Sequence, residues 1–135
     1  MPLNTRSLRD ANLQVTKALP TAGASNQSSS IDLATINAGR VPGVELLIDL
    51  PATPNLADTK KVTLTLKDSA DNNTFAAVTD VPGQVTTGAG GAGGAAINYQ
   101  FKLPIGLRRY IQLDQAVDAA GGDSTAKSGT LSVVF

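Results

Sequence analysis

The 135-residue chain has no cysteine, no histidine and no tryptophan, and aromatics make up only 4% of it. Without cysteine there are no disulfides, no thiolate metal sites and no cysteine nucleophile. Without histidine the usual general base near neutral pH is missing, and so is the commonest metal ligand. Ser-His-Asp triads and histidine-ligated zinc hydrolases are excluded by count alone. What is left for catalysis is one glutamate, Glu45, ten aspartates, and lysines with serines. Net charge is also lacking, since 11 Lys and Arg balance 11 Asp and Glu. The electrostatic attraction on which non-specific nucleic-acid binding depends is therefore absent, and no nucleic-acid partner is expected. No stretch approaches the roughly 20 apolar residues that span a bilayer. The opening MPLNTRSLRD lacks the apolar centre of a secretion signal. The expectation is synthesis in the cytoplasm, with no membrane partner, no metal and no cofactor.

Apolar residues make up 41% of the chain, and with so few aromatics the core must be built from Val, Ile, Leu and Ala. A chain of this length can bury roughly two-thirds of its unfolded surface without a staple, so residues 1–135 are expected to form a single domain. The dominant periodicity is two, that of half-buried strands. In KKVTLTLKD, Val62, Leu64 and Leu66 alternate with Thr63, Thr65 and Lys67. The pattern recurs in VELLIDL (44–50), INYQFKL (97–103), RYIQLDQAV (109–117) and SGTLSVVF (128–135), and more weakly in LQVTKAL (13–19), SIDLATI (30–36) and TFAAV (74–78). About eight short strands separated by turn residues predict an all-β chain, an antiparallel sandwich or barrel. Residues 1–12 read as an N-terminal arm or a short helix, with Ser7 and Asp10 at capping-box spacing. The polar segment 19–30 leaves open whether the N-terminal piece packs in the same fold or reaches onto a neighbour.

Residues 88–96 read GAGGAGGAA, in which Gly88, Gly90 and Gly93 match the G-x-G-x-x-G spacing of a dinucleotide loop. That motif works by leading into a helix whose N-terminus holds the pyrophosphate. Here it leads into INYQFKLP, which alternates as a strand and ends in Pro104. The stretch instead reads as part of a long surface loop over 83–96, mobile unless a neighbour holds it, and a candidate partner contact. KDSADNNTF is predicted to be a hairpin, because asparagine tolerates a left-handed backbone; its acidic residues are too few for a calcium loop. Arg108-Arg109 beside Tyr110 could form a cationic patch, although at a strand start such a pair more often guards a sheet edge.

Taken in order, SLRDANLQVTKAL, the Ser-rich SSSIDLAT, VELLIDL, KVTLTLKDSADNNTF, LPIGLRRYIQLDQAV and SGTLSVVF resemble the capsid cement, or head decoration, proteins of tailed bacteriophages. The resemblance spans most of the chain and rests mainly on the order of the motifs; GAGGAGGAA is more extreme than that family's usual connection. It implies a jelly-roll-like antiparallel β-sandwich without catalysis, located in the virion on the outer surface of the head. Its implied partners are the major capsid protein and copies of itself, as a homo-dimer or homo-trimer. Expected contact residues are Pro2, Leu3, Asn4, Arg6, Leu8, Arg9 and Asp10 in the N-terminal segment, with Gly90 and Gly91 second. Two other classes compete. A carbohydrate-binding sandwich would present exposed aromatics for sugar stacking, with Tyr110 as the candidate. A glycosidase-like enzyme would need a close pair of carboxyl groups, for which one Glu and scattered Asp are poor material.

Overall fold

The computed structural model describes residues 9–33 and 44–134, with side chains described from Leu13 onward. Ten strands lie among the described residues: β1 (Arg9–Ala18), β2 (Ser25–Gln27), β3 (Ile31–Asp32), β4 (Glu45–Leu50), β5 (Lys61–Ser69), β6 (Ala76–Ala77), β7 (Gln84–Thr87), β8 (Ile97–Lys102), β9 (Tyr110–Val117) and β10 (Ser128–Val134). They form two antiparallel sheets. One has the order β1-β10-β4-β8, and the other β2-β9-β5-β6, with β3 also on β9 and β7 also on β5.

Because β2 and β3 share one side of β9, and β6 and β7 one side of β5, the ten segments occupy eight lanes. In each sheet a strand from the C-terminal end of the chain lies between strands from earlier in it, the interleaving of a jelly roll. The strands expected from alternation are all found, although TFAAV contributes only Ala76–Ala77 and, of SIDLATI, Ile31–Asp32 is strand while 34–36 lie outside the described residues. Two strands arise where none was expected: β2 within the polar 19–30 segment, and β7 within the expected 83–96 loop. Over Arg9–Ala18 the chain is strand rather than helix, and it pairs with β10 of the same fold.

The core lies between the sheets. Leu46, Ile48 and Leu50 of β4 and Leu131 and Val133 of β10 meet Val62, Leu64 and Leu66 of β5 and Ile111, Leu113 and Val117 of β9. Aliphatic side chains of this size each contribute about 1.5–3 kcal/mol on full burial. The four aromatics among the described residues do not fill this centre: Tyr99 and Phe101 sit half-buried against it on β8, and Phe75 and Tyr110 are half-buried as well. The outer face of the second sheet is polar, with Asp114 accepting from Gln27 Nε2 at 2.6 Å and lying 3.7 Å from Lys67 Nζ.

The gap between β2 and β3 has a definite chemistry. Ser28 is buried there, donates its backbone N–H to the Leu113 carbonyl at 2.9 Å, and accepts the Leu113 N–H on Oγ at 3.0 Å. The hydroxyl thus stands in for a strand carbonyl where the lane is broken.

Candidate interaction surfaces

Four connections gather at one end of the sandwich: 19–24, 51–60, 88–96 and 118–127, tied by backbone bonds such as Gly23 N to Val117 O at 2.9 Å and Ala57 N to Gly121 O at 2.9 Å. The glycine-rich connection is docked among them. Thr53 and Gly94 exchange two backbone hydrogen bonds at 3.0 Å, Gly88 N donates to Lys60 O, and Thr59 N donates to Gly88 O, both at 2.9 Å. Thr86 Oγ1 donates to Ala95 O at 2.8 Å. Between these anchors Ala92 N donates to Ala89 O at 3.0 Å, and Gly90 and Gly91 have φ of 61° and 71°. Two successive positive φ values are what a type I′ turn requires, and Gly-Gly supplies them without steric penalty.

The loop expected over 83–96 is corrected at its start, where Gln84–Thr87 is strand β7. The remainder has the neighbour on which its mobility was expected to depend, since the β4–β5 connection holds it. Gly93 explains why the sequence is so poor in side chains here. Its φ is +77°, and a Cβ would overlap the Thr53 carbonyl oxygen and come within 2.5 Å of Pro54 Cα. At the turn itself a Cβ on Gly90 or Gly91 would meet nothing within 4 Å, and the Gly91 N–H is held by Asp58 Oδ1 at 2.9 Å. The resulting surface is stiff and short-sided. Ala52, Pro54, Ala89, Ala92, Ala119 and Ala120 are all exposed, and such residues lose no side-chain rotamer freedom when a partner covers them.

The opposite end is held by charge. Asp68 is 8% exposed and accepts from Arg108 N at 3.1 Å, Nε at 3.0 Å and Nη2 at 2.7 Å, while Nη2 also reaches the Asp68 carbonyl at 2.8 Å. Arg109 grips Asp32 through Nε and Nη2, each at 2.8 Å, and its guanidinium lies 4.9 Å from the centroid of the Tyr110 ring. The hydrogen bonds to Asp68 and Asp32 raise both guanidinium pKa values. Arg108-Arg109 is thus neither a free cationic patch nor an edge guard, because β9 runs inside its sheet and both arginines have carboxylate partners. In the β5–β6 turn, Asp71 Oδ1 accepts from Thr74 N at 3.0 Å, Ser69 Oγ at 2.8 Å and Asn73 N at 3.0 Å, which holds its carboxyl down from 3.8 to about 2. Asn72 has φ of 60°, as expected for this hairpin.

Of the expected contact residues, Pro2, Leu3, Asn4, Arg6 and Leu8 lie outside the described residues. Arg9 and Asp10 begin β1, with Arg9 opposite Val134. Gly90 and Gly91 form the turn at the other end, beyond the Ala18 end of that strand. A ten-residue strand spans roughly 30 Å, so the two candidate contacts are far apart.

One side chain outside the expected set proves central. Gln115 is fully buried on the core face of β9 and donates from Nε2 to Asn26 Oδ1 at 2.9 Å, Lys17 O at 3.2 Å and Ala18 O at 3.3 Å. It joins β1 of one sheet to β2 and β9 of the other, and the space beside its Oε1 is left by Gly129, where a Cβ would overlap it. Its sequence signal is parity, because it shares alternation with Ile111, Leu113 and Val117. Among the described residues no group of three or more acidic side chains converges as a cation site, and no helix is long and apolar enough to cross a membrane. In comparisons with known proteins, the chain matches no family model and no curated sequence.

Proposed function

We propose that the protein is a structural component of a bacteriophage virion, a cement protein that binds the outer surface of the head and links neighbouring major capsid subunits. The observation that carries this is the separation of the Arg9 end of β1 from the Gly90–Gly91 turn, at opposite ends of a stiff jelly-roll sandwich. A rigid body with a contact at each end can bridge two subunits. The order of sequence motifs supports the same reading. Binding only the assembled lattice lowers its free energy relative to dissociated subunits by mass action. Repetition over a symmetric shell supplies avidity to contacts that are individually weak. No turnover of a small molecule is part of this role, and the chain acts as copies of itself with the major capsid protein, without nucleic acid or membrane. The carbohydrate-binding alternative draws less support, since one face of the Tyr110 ring is occupied by Arg109.

The test is co-sedimentation of purified protein with heads of the parent phage that lack it. Saturable binding is expected, weakened by removing residues 2–8, which leaves β1 intact, and by Gly90→Asp, which places a charge on the turn without a clash. Failure of the intact protein to bind those heads overturns the reading.

A further inference from the structure

Of the four outer lanes of the two sheets, three are blunted. β2 and β3 are three and two residues long, with Ser28–Ser30 between them. β6 and β7 are separated by residues 78–83, which include Pro82. β1 slips register between Arg9 and Gln14. Short, interrupted and bulged edges are the devices by which sheet proteins prevent unwanted pairing. β8 has none of them. It pairs with β4 in unbroken register from Ile97 to Lys102, and among the described residues no strand pairs on its other side. Its one charge, Lys102, stands at the last position, and Pro104 falls beyond the end.

Apolar surface accompanies this edge. Tyr99 and Phe101 stack with centroids 5.0 Å apart and are only half-buried. Just past the strand, Ile105 is 97% exposed at the tip of a turn closed by Leu107 N to Pro104 O at 3.3 Å, with Gly106 at φ 83°. The turn is braced, because the next residue, Arg108, is fixed to Asp68 through its backbone and its guanidinium. An apolar tip on a braced turn is preorganised for contact, since little further ordering is needed on binding.

We infer that β8 is a self-association edge, where two copies pair antiparallel about a two-fold axis at Gln100 and join their four-stranded sheets into one. The residues suit both this occupant and this register. A two-fold axis perpendicular to the sheet keeps like faces together, so Tyr99 meets Phe101 of the second copy, Asn98 meets Lys102, and Ile97 meets Leu103. Aromatic pairs are among the more favourable cross-strand contacts, and no like charges are opposed. An axis at Lys102 would oppose two ammonium groups, and one at Phe101 would bring Pro104, which lacks an N–H, into the ladder. The same register carries the Ile105 turn toward Ala95 of the second copy. The zero net charge sets no long-range repulsion between copies. The interface is isologous, as a closed dimer requires.

The inference concerns the free protein and stands whether or not the chain binds a phage head. Because the chain has no cysteine, Gln100→Cys introduces a single thiol at an exposed position on the outer face of β8. Directly opposed residues lie about 4.5–5.5 Å apart, within disulfide reach. In Asn98→Cys, by contrast, the two thiols are offset by four residues, about 13 Å along the strands. Mild oxidation of the full chain is expected to give a covalent dimer at position 100 at least tenfold faster than at position 98. Sedimentation velocity should show a concentration-dependent dimer, weakened several-fold by Gln100→Lys with an unchanged circular dichroism spectrum. Equal cross-linking at the two positions, or a parent chain that stays monomeric at millimolar concentration, overturns the inference.

Discussion

At the glycine-rich end of the sandwich, loops approach backbone to backbone until a single methyl group would collide. At the other end, two guanidinium groups and an aspartate-capped turn lock the connections through charge. The first arrangement depends on shape and is indifferent to salt and acid, apart from the carboxylates that accept backbone N–H groups there, such as Asp58 from Gly91. The second tolerates changes of shape and responds to ionic conditions. A protein that must keep two surfaces in fixed relation can therefore stiffen them by independent means, so that no single change of medium loosens both.

The largest expected effect probes the shape side. Gly93→Ala combines a left-handed φ with overlap on Thr53, and should lower stability by about 3 kcal/mol in urea unfolding. Gly90→Ala, equally left-handed but in open space, should lower it by about 1 kcal/mol. Equal losses would mean that close approach is not what the glycines serve. Next in size is Asp68→Asn at the charged end. It should reduce the melting temperature more than Asp32→Asn, because the Asp68 side chain is 11% exposed and that of Asp32 is 29% exposed. Raising salt to about 0.5 M should shrink the Asp32 effect further while leaving that of Gly93→Ala unchanged.

Gln115→Met sharpens the contrast from within, since it removes a polar clasp near the glycine-rich end. A loss of about 1 kcal/mol is expected in urea unfolding, because the lost donor contacts are partly offset by deleting the unpartnered Oε1. The smallest effect is in acid. The folded Asp71 carboxyl is depressed from 3.8 to about 2, so the stability it lends is fully present above about 3.8 and is lost as pH falls through about 2. The Thr74 and Asn73 amide resonances should titrate near that lower value. Those of Thr53 and Gly94, bonded to carbonyls, should not move.

Much of the fold was legible because alternation reports burial directly, as in Val62, Leu64 and Leu66 against Thr63, Thr65 and Lys67. Strands β2 and β7 escaped for a physical reason. Each is a short outer lane whose residues are largely exposed, so no apolar period marks it. Composition alone cannot distinguish freedom from close packing in the glycine run; the distinction lies in Thr53 and Pro54, some 40 residues earlier. The partners of Arg108 and Arg109 were hidden likewise, since Asp68 and Asp32 lie 40 and 77 positions away. Gln115 alone could have been flagged, by noticing a polar residue on the apolar parity of its strand.

The strand order also governs how the molecule comes into being. β9 and β10 occupy inner lanes of the two sheets, yet they lie within residues 110–134 and are made after the other eight strands described. While the ribosome still shields them, β1 and β4 have no strand between them to pair with, and β5 lacks its longest neighbour. Folding must wait until residue 134 has left the ribosome, and loss of residues 110–134 would leave both layers without their middles.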